Sequence, residues 1–211
     1  MKLQREMLRL YAVTDRKCIG QRDFFAAVES ALRGGVTIVQ LREKELDTAA
    51  LIEKAKRLKA LCAEYGVPLI VNDDWRAALE AGADGVHVGL EDASPAEIRS
   101  AAGSDFIIGA TAKTVEQAQR AEATGADYLG VGAVFPSPTK QNAVRITKAQ
   151  LTEIVHSVQI PAVAIGGITA ENLHELTGSG IAGAALVSAI FSAENIEQQC
   201  RQLRRKLEVT D

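Results

Sequence analysis

Short apolar runs alternate with segments of helical periodicity along the whole chain, and this alternation constrains the fold more than any other feature. Eight of the runs are rich in apolar and β-branched residues and have the length of buried β-strands. The predicted strands are residues 10–13, 36–41, 67–72, 85–88, 106–110, 128–132, 162–165 and 184–187. Because parallel strands can be joined only through a crossover connection, strict alternation of strand and helix predicts a parallel sheet.

Helices are predicted between these strands from the helical spacing of apolar side chains. They are residues 24–32, 49–64, 76–81, 95–101, 115–123, 149–157, 170–176 and 196–207. A local repeat marks the helix-to-strand junctions, since Ala81-Gly-Ala-Asp-Gly-Val-His-Val-Gly89 is echoed by Thr124-Gly-Ala-Asp-Tyr-Leu-Gly-Val-Gly132. A glycine just past a helix end adopts the left-handed conformation that stops the helix. Each repeat is therefore interpreted as a helix end followed by a buried strand.

Eight alternating units predict a closed (β/α)8 TIM barrel of the α/β class, with residues 1–211 forming one catalytic domain. An open doubly wound sheet uses the same units and is the alternative. The sequence lacks the glycine-rich nucleotide fingerprint of such sheets, which favours closure. In a barrel of this kind, catalytic groups lie where strands end and the following helices begin. The polar residues at those ends are therefore the candidates for function.

Composition narrows the range of functions. The 24 basic and 27 acidic residues leave a formal charge of -3, and no segment concentrates Lys and Arg, so no nucleic-acid partner is expected. No run approaches the ~20 apolar residues of a membrane span. Cys18, Cys62 and Cys200 lie far apart without the spacing of metal ligands, which argues for reduced thiols rather than disulfides or a zinc site. We therefore expect a cytoplasmic protein that acts on small molecules.

Three side chains at the end of the second predicted strand form the first candidate site. Because strand side chains alternate between faces, Gln40, Arg42 and Lys44 are predicted to point the same way. An amide, a planar guanidinium and a point charge along one wall suit a polyphosphate. The alternative is a solvated strand end in which the cations pair with Glu43 and Glu45.

Two carboxylates follow neighbouring predicted strands. Asp73 comes directly after the third strand and Asp92 shortly after the fourth, so both are expected at the same rim. Carboxylates placed close together repel and raise a pKa unless a cation lies between them. Because Mg2+ is held by one or two carboxylates and completed by substrate phosphates and water, the pair predicts a magnesium site. Asp74 and Glu91 are interpreted instead as acidic residues at helix starts.

Loops after the last three strands are candidates for holding a phosphate. Residues 134–143 carry two prolines, two hydroxyl groups and Lys140, which is typical of a lid or clamp, with a purely structural loop as the alternative. The seventh and eighth strands end in Gly166-Gly167 and Val187-Ser188. In this fold a phosphate commonly binds on backbone N–H groups of those two loops. The rim is therefore predicted to have two anion sites.

The histidines and two of the aromatic residues are interpreted as structural. His87 is predicted within a strand, and His156 and His174 within helices, with no nucleophile evidently paired with any of them. Tyr11 and Trp75 could stack on a ring, but burial in the core is the simpler role.

Seven segments at successive strand ends resemble thiamine phosphate synthase, and the resemblance covers nearly the whole chain. Each segment alone would be weak, but their order along the strands makes the resemblance specific. They are Tyr11-Ala-Val-Thr-Asp15, Gln40-Leu-Arg-Glu-Lys44, Val71-Asn-Asp73, Gly85-Val-His-Val-Gly89 with Asp92, Pro136-Ser-Pro-Thr-Lys140, Ala164-Ile-Gly-Gly-Ile168 and Val187-Ser-Ala-Ile190. The departures are small, since Leu90 stands where the family often has glutamine and Thr111 where it often has serine.

The resemblance implies a role for each candidate residue. A pyrimidine diphosphate would contact Gln40, Leu41, Arg42, Glu43, Lys44, Asn72, Thr111 and Lys140. A thiazole phosphate would contact Ser137, Pro138, Thr139, Gly167, Val187 and Ser188. One Mg2+ per active site would be held by Asp73 and Asp92, and the catalytic cations would be Arg42, Lys44 and Lys140.

The resemblance also implies the activity of a transferase. It would condense 4-amino-2-methyl-5-(diphosphooxymethyl)pyrimidine with a thiazole or carboxythiazole ethyl phosphate, giving thiamine phosphate and diphosphate by a Mg2+-dependent dissociative substitution. Two alternatives stay open: a thiazole tautomerase of the same barrel family, which would not need the complete diphosphate and metal set, and a non-catalytic thiazole-phosphate-binding regulator. The expected partners are small-molecule substrates, with no nucleic acid and no membrane, and a homo-oligomer stays open.

Overall fold

The strands of the computed structural model, which describes residues 2–136 and 145–208, close into a parallel barrel in the order of the sequence. The strands are β1 Leu10–Val13, β2 Ile38–Leu41, β3 Leu69–Asn72, β4 Gly85–Val88, β5 Ile107–Ala112, β6 Tyr128–Gly132, β7 Ala162–Ile165 and β8 Gly183–Leu186. β1 pairs with β8 as well as with β2, so the sheet has no free edge. The predicted (β/α)8 barrel is therefore confirmed, and the open sheet was the wrong alternative.

Two predicted strands begin two residues too early for a physical reason. Val36 and Val67 are buried, but their N–H groups bond back to the ends of the preceding helices, at Ala31 O (3.3 Å) and Cys62 O (3.0 Å). These residues belong to the turns that end a helix, not to the sheet. The apolar character of Val36 and Val67 is the reason why the predicted strands include these turn residues.

Helices and short helical turns surround the barrel. Those described are α1 Arg16–Ile19, α2 Phe24–Arg33, α3 Thr48–Glu64, α4 Trp75–Glu80, α5 Pro95–Ala102, α6 Val115–Ala123, α7 Lys148–His156, α8 Ser188–Phe191 and α9 Ile196–Glu208, with 3-10 helices at Arg5–Leu8 and Leu173–Leu176. The helix predicted over residues 170–176 is wrong in extent. The Asn172 side chain accepts from Thr169 N and donates to Gly167 O, which holds the start of that segment as a loop.

Side chains at the first residue before each of several helices fix where those helices begin. Asp74 Oδ1, for example, accepts from Ala77 N at 2.9 Å and so caps α4, as its acidic character predicted. The same type of cap is formed at α2, α3, α5, α6 and α7 by Asp23, Asp47, Ser94, Thr114 and Thr147. Each such cap typically stabilises its helix by about 1 kcal/mol.

Two apolar layers follow from the alternation of strand side chains. One set of residues fills the inside of the barrel and includes Tyr11, Ile38, Ile70, Ile107, Tyr128 and Val163. The intervening residues, such as Val39, Leu41 and Val71, pack outward against the helices.

None of the described helices is long and apolar enough to cross a lipid bilayer.

Candidate active site

Polar side chains replace apolar ones where inward-facing strand positions reach the carboxyl end of the barrel. Gln40 follows the interior residue Ile38 by two positions, and Asn72 follows Ile70 in the same way. Thr111 lies four positions after Ile107, so it too belongs to the inward set. The structure therefore brings together three of the residues for which pyrimidine contacts were predicted.

Arg42 lies at this rim on a defined scaffold. Its Nη1 forms an ion pair with Asp15 Oδ2 at 3.2 Å, and its backbone N–H donates to Thr14 Oγ1 at 3.0 Å. Thr14 is completely buried, whereas Lys44, two residues beyond Arg42, is exposed. The Arg42 guanidinium is thus held in position, whereas the Lys44 ammonium is exposed to solvent and accessible to a ligand.

The side chains of Leu41 and Glu43 turn away from the rim. Leu41 is fully buried in the layer between barrel and helices, and the Glu43 carboxylate forms an ion pair with Lys54 on α3. The predicted contacts of these two residues with a diphosphate stay predictions, and with this orientation they would have to come from the backbone. The alternative pairing of Glu43 with the rim cations is not what the structure shows, because its partner is Lys54.

Asp73 and Asp92 lie close to each other at the same rim. Asp73 has a left-handed backbone (φ 66°), and its N–H donates to His87 O at 2.9 Å, which ties it to the end of β4. Asp92 Oδ2 accepts from Gly89 N at 2.7 Å. Loss of hydration and the neighbouring Asp92 carboxylate, which hydrogen-bonds to Asp73, raise the Asp73 pKa to about 6, against the opposing effect of Lys44 and Arg42.

This pair suits a divalent cation that keeps other ligands. Two carboxylates close enough to share a proton can bind a cation in the place of that proton. The described residues contain no cluster of three or more His, Cys, Asp or Glu side chains that could form a complete protein cage. A cation at Asp73 and Asp92 would therefore need oxygens from substrate and water, which is how Mg2+ is commonly bound.

The raised pKa of Asp73 predicts how the stability of the metal-free protein depends on pH. The Asp73 pKa is raised from 3.8 to about 6, so the folded state holds the Asp73 proton more tightly than the unfolded state. The stabilisation is therefore complete below about pH 4 and is lost as the pH rises to about 6. Asp92→Asn removes the repulsion, so we expect its gain in melting temperature over the original protein, measured with a chelator, to be larger at about pH 8 than at about pH 5.

Glu91→Gln is the matched control for that comparison, because Glu91 is an exposed acid one residue away. Its effect on the melting temperature should be the same at both pH values. A gain for Asp92→Asn that does not change with pH would show that Asp92 does not raise the Asp73 pKa.

The second predicted anion site lies at the ends of β7 and β8. Gly166 and Gly167 both have left-handed backbone (φ 99° and 64°). A Cβ at Gly167 would lie 2.2 Å from Pro136 O, so the loop after β7 packs directly against the loop after β6. Val187 precedes α8 without a side-chain cap, and it and Ser188 are partly exposed, so the backbone at the start of this helix faces the rim.

The predicted clamp residues Ser137, Pro138, Thr139 and Lys140 lie outside the residues that the structure describes. The described residues on both sides of them are anchored near β7. Val134 N donates to Ile165 O and Phe135 N to Gly166 O, both at 3.0 Å, and Ile146 N donates to Ala133 O at 2.9 Å. The described residues on the two sides of this segment therefore lie beside the ends of β6 and β7.

His87 is connected to two buried tyrosines that no sequence motif links to it. Gln40 Nε2 donates to the Tyr11 hydroxyl (2.8 Å), which bonds to the Tyr128 hydroxyl (2.7 Å). Tyr128 bonds to His87 Nδ1 and His87 Nε2 to Thr111 Oγ1, both at 3.1 Å. Because the partners come from five different strands, no short motif could reveal them. Inward-facing polar residues at matching depths were the one available signal.

This chain is similar to known proteins both in sequence and in fold. A family model for thiamine monophosphate synthase matches residues 10–190. Thiamine-phosphate synthase 2 of Streptococcus pneumoniae is 46% identical over 205 residues, which cover 97% of this chain and 98% of that protein. Thiamine-phosphate synthase of Clostridium acetobutylicum is 44% identical over 193 residues, 92% of each chain. The solved structure of thiamine phosphate pyrophosphorylase from Pyrococcus furiosus matches 98% of both chains with a TM-score of 0.90 and 39% identity.

Proposed function

The chain belongs to the thiamine monophosphate synthase family, and from this premise we propose how its rim joins a pyrimidine diphosphate to a thiazole phosphate. The activity is that of a transferase, thiamine-phosphate synthase. The observation that carries the assignment of residues is the meeting of Arg42 and the Asp73–Asp92 pair at one rim, beside inward-facing amide and hydroxyl groups. We propose that residues 1–211 form one catalytic domain.

The pyrimidine diphosphate is assigned to the side of the rim formed by β2, β3 and β5. Gln40, Asn72 and Thr111 line the inside of the barrel there and offer hydrogen-bonding groups to a heterocycle. Arg42 and Lys44 follow on the same face and carry the charge that a diphosphate requires. Lys140 is assigned to the same diphosphate by the resemblance. Leu41 and Glu43 would contribute backbone groups.

Asp73 and Asp92 are assigned to one Mg2+ per active site. The fit is supported by the closeness of the two carboxylates, since the Asp92 carboxylate adds to loss of hydration in raising the Asp73 pKa. When bound, Mg2+ would neutralise charge on the departing diphosphate.

The thiazole phosphate is assigned to the opposite side, at Gly167, Val187 and Ser188, and the resemblance adds contacts from Ser137, Pro138 and Thr139. A glycine at residue 167 lets the backbone approach the phosphate closely, and the uncapped start of α8 offers backbone N–H groups. Holding the phosphate there would place the thiazole ring over the mouth of the barrel, facing the pyrimidine.

The reaction needs positioning and charge stabilisation more than a proton-transfer group. The bond between the pyrimidine methylene carbon and the diphosphate oxygen breaks, and the diphosphate leaves with the electron pair. The thiazole nitrogen then donates its lone pair to that carbon. Arg42, Lys44 and Lys140 would stabilise the leaving charge, while the phosphate site holds the nucleophile in line. We propose a dissociative path because the aminopyrimidine ring can stabilise the cationic carbon.

The alternatives use less of this rim. A thiazole tautomerase would not require the carboxylate pair together with Arg42 and Lys44, and a non-catalytic regulator would not require the catalytic cations. We further propose that the protein is cytoplasmic and acts on small molecules without a nucleic-acid or membrane partner.

A coupling assay tests the proposed function directly. The pyrimidine diphosphate and the thiazole phosphate are incubated with the protein, with and without Mg2+, and thiamine phosphate and diphosphate are followed by chromatography. We expect equal amounts of the two products, formed only when Mg2+ is present. Thiazole phosphate binding without any product would instead support the tautomerase or the regulator. Product formation at the full rate with a chelator present would contradict the metal assignment.

A further inference from the structure

The barrel interior is shaped around the Tyr128 and His87 side chains. A Cβ at Gly109 would lie 2.2 Å from Tyr128 Cζ and 2.5 Å from His87 Nδ1. A Cβ at Gly130 would lie 2.9 Å from His87 Cε1. Neither glycine has the left-handed backbone that would itself require glycine. Two inward strand positions are therefore without side chains at the place where the phenol and the imidazole meet.

The hydrogen bonds that join Gln40, Tyr11, Tyr128 and His87 all donate in the same direction, from Gln40 towards His87. Gln40 donates through its amide nitrogen, so the Tyr11 hydroxyl is an acceptor at that contact. The one hydrogen of Tyr11 then points to Tyr128, because otherwise it would be buried without an acceptor. By the same argument Tyr128 donates to His87 Nδ1. Because Nδ1 accepts from Tyr128 it carries no hydrogen, so the one hydrogen of the ring is on Nε2 and is donated to Thr111.

The direction of these hydrogen bonds fixes which group Gln40 and Thr111, at the two ends of the series, offer to a ligand. His87 Nε2–H donates to Thr111 Oγ1, which leaves the Thr111 hydroxyl hydrogen free to donate elsewhere. At the other end the Gln40 amide nitrogen faces Tyr11, so its carbonyl oxygen points away from Tyr11 as an acceptor. The barrel thus presents an acceptor at Gln40 and a donor at Thr111.

From this geometry we infer that Tyr11, Tyr128 and His87 are positioning residues, which fix the acceptor at Gln40 and the donor at Thr111 and so select an aminopyrimidine over an oxopyrimidine. The inference rests on the proposed function, because it takes the pyrimidine to lie against Gln40 and Thr111. An amino group on the pyrimidine ring donates to the Gln40 oxygen. A carbonyl oxygen on the ring in the same place would meet the Gln40 oxygen, and two acceptors repel. Reversing all the hydrogen bonds would require the Gln40 amide to flip and the His87 tautomer to change together.

Nitrogen-15 NMR of His87 tests the direction without any substrate. We expect Nδ1 to have the shift of an unprotonated nitrogen and Nε2 that of a protonated one, with His87→Gln used to assign the signals. Tyr11→Phe should leave this tautomer unchanged, since Tyr128 still donates to Nδ1. Tyr128→Phe should shift the tautomer population. A protonated Nδ1 in the unmodified protein would overturn the inference.

Kinetics test whether the direction matters for the substrate. Removing the Tyr128 hydroxyl should raise KM for the pyrimidine diphosphate and weaken discrimination against its 4-oxo analogue, each by roughly tenfold, which corresponds to one net hydrogen bond. KM for the thiazole phosphate should not change. Tyr11→Phe, which breaks the chain one link earlier, should act in the same way and serves if the Tyr128 variant does not fold.

Tyr65→Phe is the matched control, because the Tyr65 hydroxyl bonds to Glu29 on the exposed outer surface. It should change neither KM. Equal loss of activity toward amino and oxo substrates in Tyr128→Phe, with both KM values unchanged, would mean that the tyrosine only stabilises the fold. If the coupling assay gave no product, the NMR result would still stand, so failure of the proposed function and failure of this inference are distinguishable.

Discussion

Asp92→Ala should slow turnover by several powers of ten, each power corresponding to about 1.4 kcal/mol of activation free energy. The Asp92 carboxylate lies against Asp73 and is one of the two groups proposed to hold Mg2+. Without it the departing diphosphate loses much of the charge that would stabilise it in the transition state. The measurement is kcat at saturating substrates over a range of Mg2+ concentrations, and we expect higher Mg2+ to recover only part of the loss.

The control for this variant must also remove one negative charge from the same loop but leave the proposed metal ligands intact. Glu91→Ala meets that requirement, because Glu91 is exposed and adjacent in sequence. Its kcat and its Mg2+ dependence should match those of the original protein. Turnover by Asp92→Ala at the original rate, in protein that melts normally, would show that Asp92 does not hold a catalytic metal.

Most of the barrel could be predicted because its strands are local, repeated patterns. The bounds predicted for β1, β4, β6 and β7 match those observed, since each of these strands follows directly on a turn or a clear change in polarity. The errors occur where a local pattern serves two structures. The four-residue helices α1 and α8 are too short to show helical periodicity, and neither was predicted as a helix.

Strand alternation predicted the direction of some site residues, while their roles stay predictions. Gln40 and Arg42 face the rim as expected, and the same rule, applied strictly, would have turned Leu41 and Glu43 outward. The interior hydrogen-bonded chain could not be predicted, because its members come from separate strands and meet only through the register of the closed sheet. His87 is interpreted from the sequence as structural because no nucleophile is evidently paired with it, and its hydrogen-bond partners lie on other strands.

Gly167→Ala is expected to have the second largest effect, through the thiazole phosphate site. The added Cβ would lie 2.2 Å from Pro136 O and 2.7 Å from Phe135 O, both of them backbone atoms that cannot rotate away. The loops after β6 and β7 must therefore separate, and the residues that flank the proposed clamp move with them. We expect KM for the thiazole phosphate to rise by roughly tenfold or more, equivalent to at least about 1.4 kcal/mol of lost binding, while KM for the pyrimidine diphosphate changes little.

Gly66→Ala separates this effect from backbone strain. Gly66 has nearly the same φ as Gly167 (65° against 64°), but a Cβ there would meet nothing within 4 Å. Both variants should lose the stability that a left-handed alanine costs, roughly 1–2 kcal/mol. The Gly167 variant alone should lose affinity for the thiazole phosphate. If both variants kept the original KM, the packing of these two loops would not shape the phosphate site, and the thiazole phosphate would have to be held mainly at the start of α8.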